Sequence, residues 1–202
     1  MQDVLLEPYG GEILGLSVGA TTMLTALVAA GTLLALVISA RALALHSDPH
    51  RLAAWGAVVG LFAFAAVIFA APVQSALLFR CGAFLIGFGA GLFAVGTLTA
   101  AMSLNHTGLV GLALGAWGAV QATASGVATA TGGLLRDGVG ALATSGHLGT
   151  ALASPATGYS LVYHVEIALL FATLIVIGPL TRPFGGQHHH RPHRFGLAEF
   201  PG

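Results

Sequence analysis

Two charges sit where so apolar a chain should carry none. Arg80 lies in the long uncharged run that starts near Ser75, and Glu166 lies in another that starts near Tyr159. A charge inside a lipid-crossing segment is by default a functional hypothesis with a partner to be named. The spacing names Arg80 with Glu166, and His164 beside them, at depths of roughly 8 and 10 Å from one membrane face at 1.5 Å per residue. One reading makes them a polar anchor for a partner or ligand. The other makes them a structural pair, or side chains snorkelling to the nearby interface. Other candidate groups are fewer: Asn105 and His106 in a turn, Trp117 and Gln121 one helical turn apart, and the QHHHRPHR run near the end. That run, His188 to His193, could bind a metal, but it reads first as a solvated tail, and no metal site is expected. There is no serine–histidine–acid set in a supporting context, no nucleotide loop and no pair of intramembrane carboxylates. The glycines lie inside apolar runs rather than between a strand and a helix. No enzyme is expected.

Composition explains why those few polar groups matter. The chain is 56% hydrophobic and 7% charged, with a mean hydropathy of +0.89, against about 25% charged residues in ordinary soluble domains. That excludes a normal soluble protein. Lysine is absent and the net charge is zero, so nothing provides the basic footprint of a nucleic-acid binder. The single cysteine, Cys81, sits in an apolar run and reads as a small hydrophobe. The N-terminus lacks the basic start and cleavage site of a signal peptide, so its apolar segments are expected to persist in the mature chain.

The elements that must position these groups are membrane helices, each needing about 20 apolar residues to cross roughly 30 Å. Residues 1–20, broken by Pro8, Gly10 and Gly11 and carrying Asp3, Glu7 and Glu12, read as an interfacial segment. Crossings follow at about 21–40, 52–71, 75–102, 108–135 and 159–180, and residues 181–202 form a His- and Arg-containing tail. The fold class is therefore an all-α integral membrane protein of about five spans. Arg41 and Arg51 flank the first loop, and Arg182, Arg191 and Arg194 lie in the tail, on the same side. The positive-inside bias makes that side, and the C-terminus, cytoplasmic.

The fourth crossing constrains the rest most. Gly111, Gly115, Gly118, Ala122, Gly126 and Ala130 recur every three or four residues and share one helix face. In water so many glycines would cost roughly 1 kcal/mol each relative to alanine. In lipid, a small-residue stripe lets another helix approach closely. This crossing is built to be packed against.

Four strings carry a resemblance: MQDVLLEPYGGEILGLSVGATTMLTAL, GLFAVGTLTAAMSL, GLALGAWGAVQATASGVATATGGLLRD and the closing FGLAEFPG. Together they resemble the PucC-like bacteriochlorophyll-delivery branch of the major facilitator superfamily, found in photosynthetic bacteria. The resemblance implies the C-terminal half of a major-facilitator fold, starting inside what would be the seventh of about twelve crossings. It implies a place in the inner, intracytoplasmic photosynthetic membrane and partners among light-harvesting antenna polypeptides and the reaction centre. It implies a role in assembling or stabilising an antenna complex, with bacteriochlorophyll and carotenoid as possible cofactors. Glu7-Pro8-Tyr9 belongs to the first string and reads either as a partner contact or as a helix break at the interface. Retention as a structural subunit without delivery activity is one alternative. A half-transporter is another, since rocking one half against the other needs both halves.

Under that resemblance the candidate pigment contacts are His164, His106, Gln121 and Trp117. The magnesium of bacteriochlorophyll accepts a neutral imidazole or an oxygen ligand, which His164 or His106, or the amides of Gln121 or Asn105, could provide. Each also has a plainer reading. His164 could be a hydrogen-bonded helix histidine, His106 a solvated loop residue, Gln121 an interhelical hydrogen-bonding group, and Trp117 a packing wedge rather than a flat surface for a ring.

Overall fold

The computed structural model describes residues 2–103 and 110–181. Among these every regular element is helical: α1 (Gln2–Glu12), α2 (Val18–Ala44), α3 (Pro49–Ala70), α4 (Ala76–Ser103), α5 (Val110–Thr144) and α6 (Ala156–Ile177), with short 3₁₀ turns at Thr150–Leu152 and Gly178–Thr181. The five helices α2 to α6 are each long and apolar enough to cross a membrane. Their starts follow local chemistry. The Ser17 hydroxyl accepts from the Ala20 amide at the head of α2. The Asp48 carboxylate accepts from the His50 amide at 2.8 Å, with Pro49 in the first turn of α3. Such caps satisfy amide donors that the helix itself leaves free.

Helix α4 is the hub, packing on α2 along one face and on α3 along another; α3 also meets α6, and α6 meets α5. Glycine sets how closely these helices approach. A Cβ at Gly87 would fall on the Val28 carbonyl, and one at Gly31 on the Phe84 carbonyl, so α2 and α4 touch backbone to backbone. Gly56 and Gly89 do the same between α3 and α4, where a Cβ on either would lie 2.6 to 2.8 Å from the other's carbonyl oxygen. The Thr32 hydroxyl, 3.1 Å from the Gly87 carbonyl, ties α2 across to α4. With no hydrophobic drive between helices in lipid, this contact area holds them together. Gly87→Ala is therefore expected to destabilise the chain by about 1–3 kcal/mol, as overpacking does. Unfolding of the detergent-solubilised protein by SDS, followed by circular dichroism, measures it.

Two elements differ from what the sequence suggests. Residues 2–12 are helical through Pro8, and Leu5, Leu6 and Tyr9 are buried. One face of the segment packs on the end of the bundle, because residues 5, 6, 9 and 10 share one helix face. Gly10 lets that face sit on Phe79 and Leu24. Helix α5 runs to Thr144, nine residues beyond the expected limit at 135, and leaves a shorter loop at 145–155. The extra turns have something to pack on: Gly158 at the start of α6 abuts the Arg136 carbonyl and the Gly140 amide, and Ala143 is fully buried.

Candidate functional site

At the end of the bundle that holds α1, three distant segments meet in one polar network. Arg136 on α5 places Nη2 3.0 and 2.9 Å from the two carboxylate oxygens of Glu12 on α1, and Nη1 2.7 Å from Asp137. The same Nη2 donates to the Tyr159 hydroxyl on α6, and that hydroxyl donates to Glu12 at 2.8 Å. The guanidinium also lies over the Tyr159 ring, 4.7 Å from its centroid, a cation–π contact. Beneath it Tyr9 meets Phe79, Tyr159 and Tyr163 at ring-centroid distances of 5.3 to 5.5 Å, two of the contacts edge-on. Burial pushes the Tyr9 phenol above its ordinary range. The Thr25 hydroxyl donates to Glu7 and links α2 to the same end.

No local pattern pairs Glu12 with Arg136, because they lie 124 positions apart. Their signal was indirect: a chain with seven basic and seven acidic side chains keeps both near the ends of apolar runs. Side-chain exposures of 30% for Arg136 and 51% for Glu12 keep the pair in partial contact with solvent, which screens it. Arg136→Ala is expected to cost roughly 1–2 kcal/mol, the lower part of the range for charge-assisted hydrogen bonds. The loss should shrink as salt is raised, and repeating the SDS unfolding at two ionic strengths checks both points.

The expected site residues are placed apart. His106, Asn105 and the His188–His193 tail lie outside the described residues. His164 is exposed on α6, its Nδ1 2.6 Å from the Ser160 carbonyl oxygen. A carbonyl only accepts, so Nδ1 carries the proton and the neutral ring keeps its lone pair on Nε2. A histidine so held is oriented to ligate through its other nitrogen, as second partners do in metal sites. Trp117 is half-buried, and its Nε1 donates to the Thr97 hydroxyl of α4 at 3.3 Å, which pins the indole where α5 crosses α4. Gln121 is exposed one turn further along.

Arg80 and Glu166 differ in setting. Arg80 stands in the second turn of α4, and its Nε is buried without a hydrogen-bond partner among the described residues. Glu166 lies ten residues into α6 and lines a cavity with Phe64 and Gly60 of α3. The sequence places both near one face. By the helix limits Glu166 lies about 15 Å along α6 from Ala156, near the middle of that helix.

Among the described residues, nothing packs closely on the glycines of the α5 small-residue face. Gly111, Gly115, Ala122, Gly126 and Ala130 are exposed and Gly118 is half-buried. A Cβ at any of the four glycines would meet nothing within 4 Å. The close glycine contacts lie between α2, α3 and α4 and at Gly158 of α6, while among the described residues this edge of α5 is left open; Leu112, Val120 and Val127 of the same helix are also exposed.

The chain is 53% identical over its whole length to a Rhodobacter capsulatus protein described as an uncharacterized protein in the puhA-bchM intergenic region, of which it covers 43%. It is 55% identical over 69% of its length to Protein PucC of Rhodovulum sulfidophilum, covering 31% of that protein. With Protein PucC of Cereibacter sphaeroides the identity is 47% over 90% of the chain and 39% of the relative. The chain thus spans less than half the length of these relatives. No solved structure matches it. The family description PUCC protein matches residues 1–184, and the chain belongs to that family.

Proposed function

We propose that this protein is an accessory membrane protein of bacterial photosynthesis that assembles or stabilises a light-harvesting antenna complex and handles bacteriochlorophyll at its outer surface. The observation that carries the reading is the 47–55% identity to proteins named PucC, over 69–90% of this chain. The open α5 edge is the surface that antenna helices, and through them the reaction centre, would cover, because small residues allow the close backbone approach on which helix association in lipid depends. His164, proton on Nδ1 and Nε2 free of the Ser160 carbonyl, is the imidazole suited to a magnesium's axial position. Trp117 offers part of a flat face for a macrocycle or a carotenoid. The reading assigns the chain no catalytic step. It places the protein in the inner, intracytoplasmic photosynthetic membrane with its C-terminus in the cytoplasm, the bundle corresponding to the C-terminal half of a major-facilitator fold.

A second version, retention as a structural subunit without delivery, draws support from the same α5 face, on whose glycines nothing among the described residues packs closely. Purification in mild detergent tests both versions. Antenna polypeptides with near-infrared absorbance, stable on prolonged washing, favour the subunit. Pigment in a chain free of antenna polypeptides favours the delivery factor. A colourless homodimer contradicts both and points to a half-transporter.

A further inference from the structure

The cavity that Glu166 lines is a second feature, independent of the antenna reading. It measures about 240 Å³ and lies between α3, α4 and α6. Its floor is Gly56, Gly60 and Gly89, and its walls are Phe64, Ile86 and Leu170. Gly56 and Gly89 meet through their backbones, and Gly60 lies under Leu170, so the three helices pack closely beside the cavity. Two lining residues, Ala90 and Leu169, are exposed, so the opening faces sideways, toward where the hydrocarbon would be.

Each property narrows the occupant. A sideways mouth on a membrane helix bundle admits something dissolved in the bilayer. Apolar walls favour hydrocarbon, as dry apolar cavities bind apolar guests. A carboxyl group in the wall near the middle of a span is costly to place there and favours a ligand carrying a hydrogen-bond donor. A carboxylate has about four lone-pair sites, so Glu166 can accept from a ligand whatever else it contacts.

We propose that the cavity between α3, α4 and α6 binds the hydroxyl-ended hydrocarbon chain of a membrane-dissolved alcohol, its hydroxyl donating to the Glu166 carboxylate and its far end leaving past Ala90 into the bilayer. The chain could come from an isoprenoid alcohol or a straight-chain one, and the competitors below tell these apart.

The test uses the full chain in detergent with a diazirine-bearing analogue of 1-dodecanol as a photoaffinity probe, and peptide mass spectrometry to locate the adducts. Labelling is expected on α3, α4 and α6 peptides bordering the cavity. It should be displaced by geranylgeraniol if the natural chain is isoprenoid, or by 1-dodecanol if it is straight, and by n-dodecane at least tenfold less well. Ala90→Phe, at an exposed position, closes the mouth and is expected to abolish cavity labelling with helicity unchanged. Glu166→Gln should reduce the preference for alcohol over alkane at least fivefold, with labelling retained. Adducts spread evenly over the lipid-facing surfaces, equal displacement by n-dodecane, or unchanged cavity labelling in a folded Ala90→Phe protein would overturn the proposal.

Discussion

Tyr9→Ala is expected to destabilise the chain by about 3–5 kcal/mol, the range for removing a large buried aromatic side chain. Tyr9 is 1% exposed and is enclosed by Phe79 of α4 and by Tyr159 and Tyr163 of α6. Its loss would open a void where three elements meet and weaken the attachment of α1. Tyr9→Phe keeps the ring and should cost under about 1.5 kcal/mol. SDS unfolding of the two variants by circular dichroism measures the contrast. Equal and small losses would mean that α1 is held by the Glu12–Arg136 network rather than by the aromatic cluster. Within the Glu7-Pro8-Tyr9 string, Tyr9 faces inward and α1 continues through Pro8 rather than breaking there.

Replacing Gly115 and Gly118 together by leucine is expected to leave the isolated chain folded, and yet to reduce recovery of antenna polypeptides with it at least tenfold. Neither glycine has a neighbour among the described residues within 4 Å of where its Cβ would be, so nothing among them resists the larger side chain. Helix propensity even favours the change, by up to roughly 1 kcal/mol per site. Gly87→Ala sets the comparison: there the bulk falls on a backbone carbonyl of the same chain, and the isolated protein itself should weaken. Co-purification and unfolding measured side by side separate the two cases. Undiminished recovery of antenna polypeptides in the double variant would remove the α5 face from the proposed interaction.

The five crossings were legible in the sequence because each is an apolar run bounded by Pro, Gly or a charge, as at Asp48-Pro49 and Ala71-Pro72. The helix α1 was less so. Its inward face of Leu5, Leu6, Tyr9 and Gly10 is interrupted by Glu7 and Pro8, which locally read as surface. The length of α5 depended on the contact of Gly158 with Arg136 and Gly140, a tertiary effect that no local pattern encodes. The glycine pattern was visible as composition, but its use was not. The richest stripe, on α5, stays open, while Gly87, Gly89 and Gly96 of α4 approach α2 and α3. Spacing shows that a face is small; which helix comes to it is a matter of tertiary packing that no local pattern encodes. Glu166 was visible as an intramembrane charge, but its cavity needs α3 and α4 to be in place.

The central claim, that the Gly111–Ala130 edge of α5 seats antenna helices, is tested most directly by a photoreactive amino acid placed at Ala122 and, as a control, at exposed Val37 on α2, in intact photosynthetic membranes. The expected result is a covalent adduct between position 122 and an antenna polypeptide, at least tenfold stronger than from position 37. Adducts to lipid alone at position 122, or equal adducts from both positions, would contradict it.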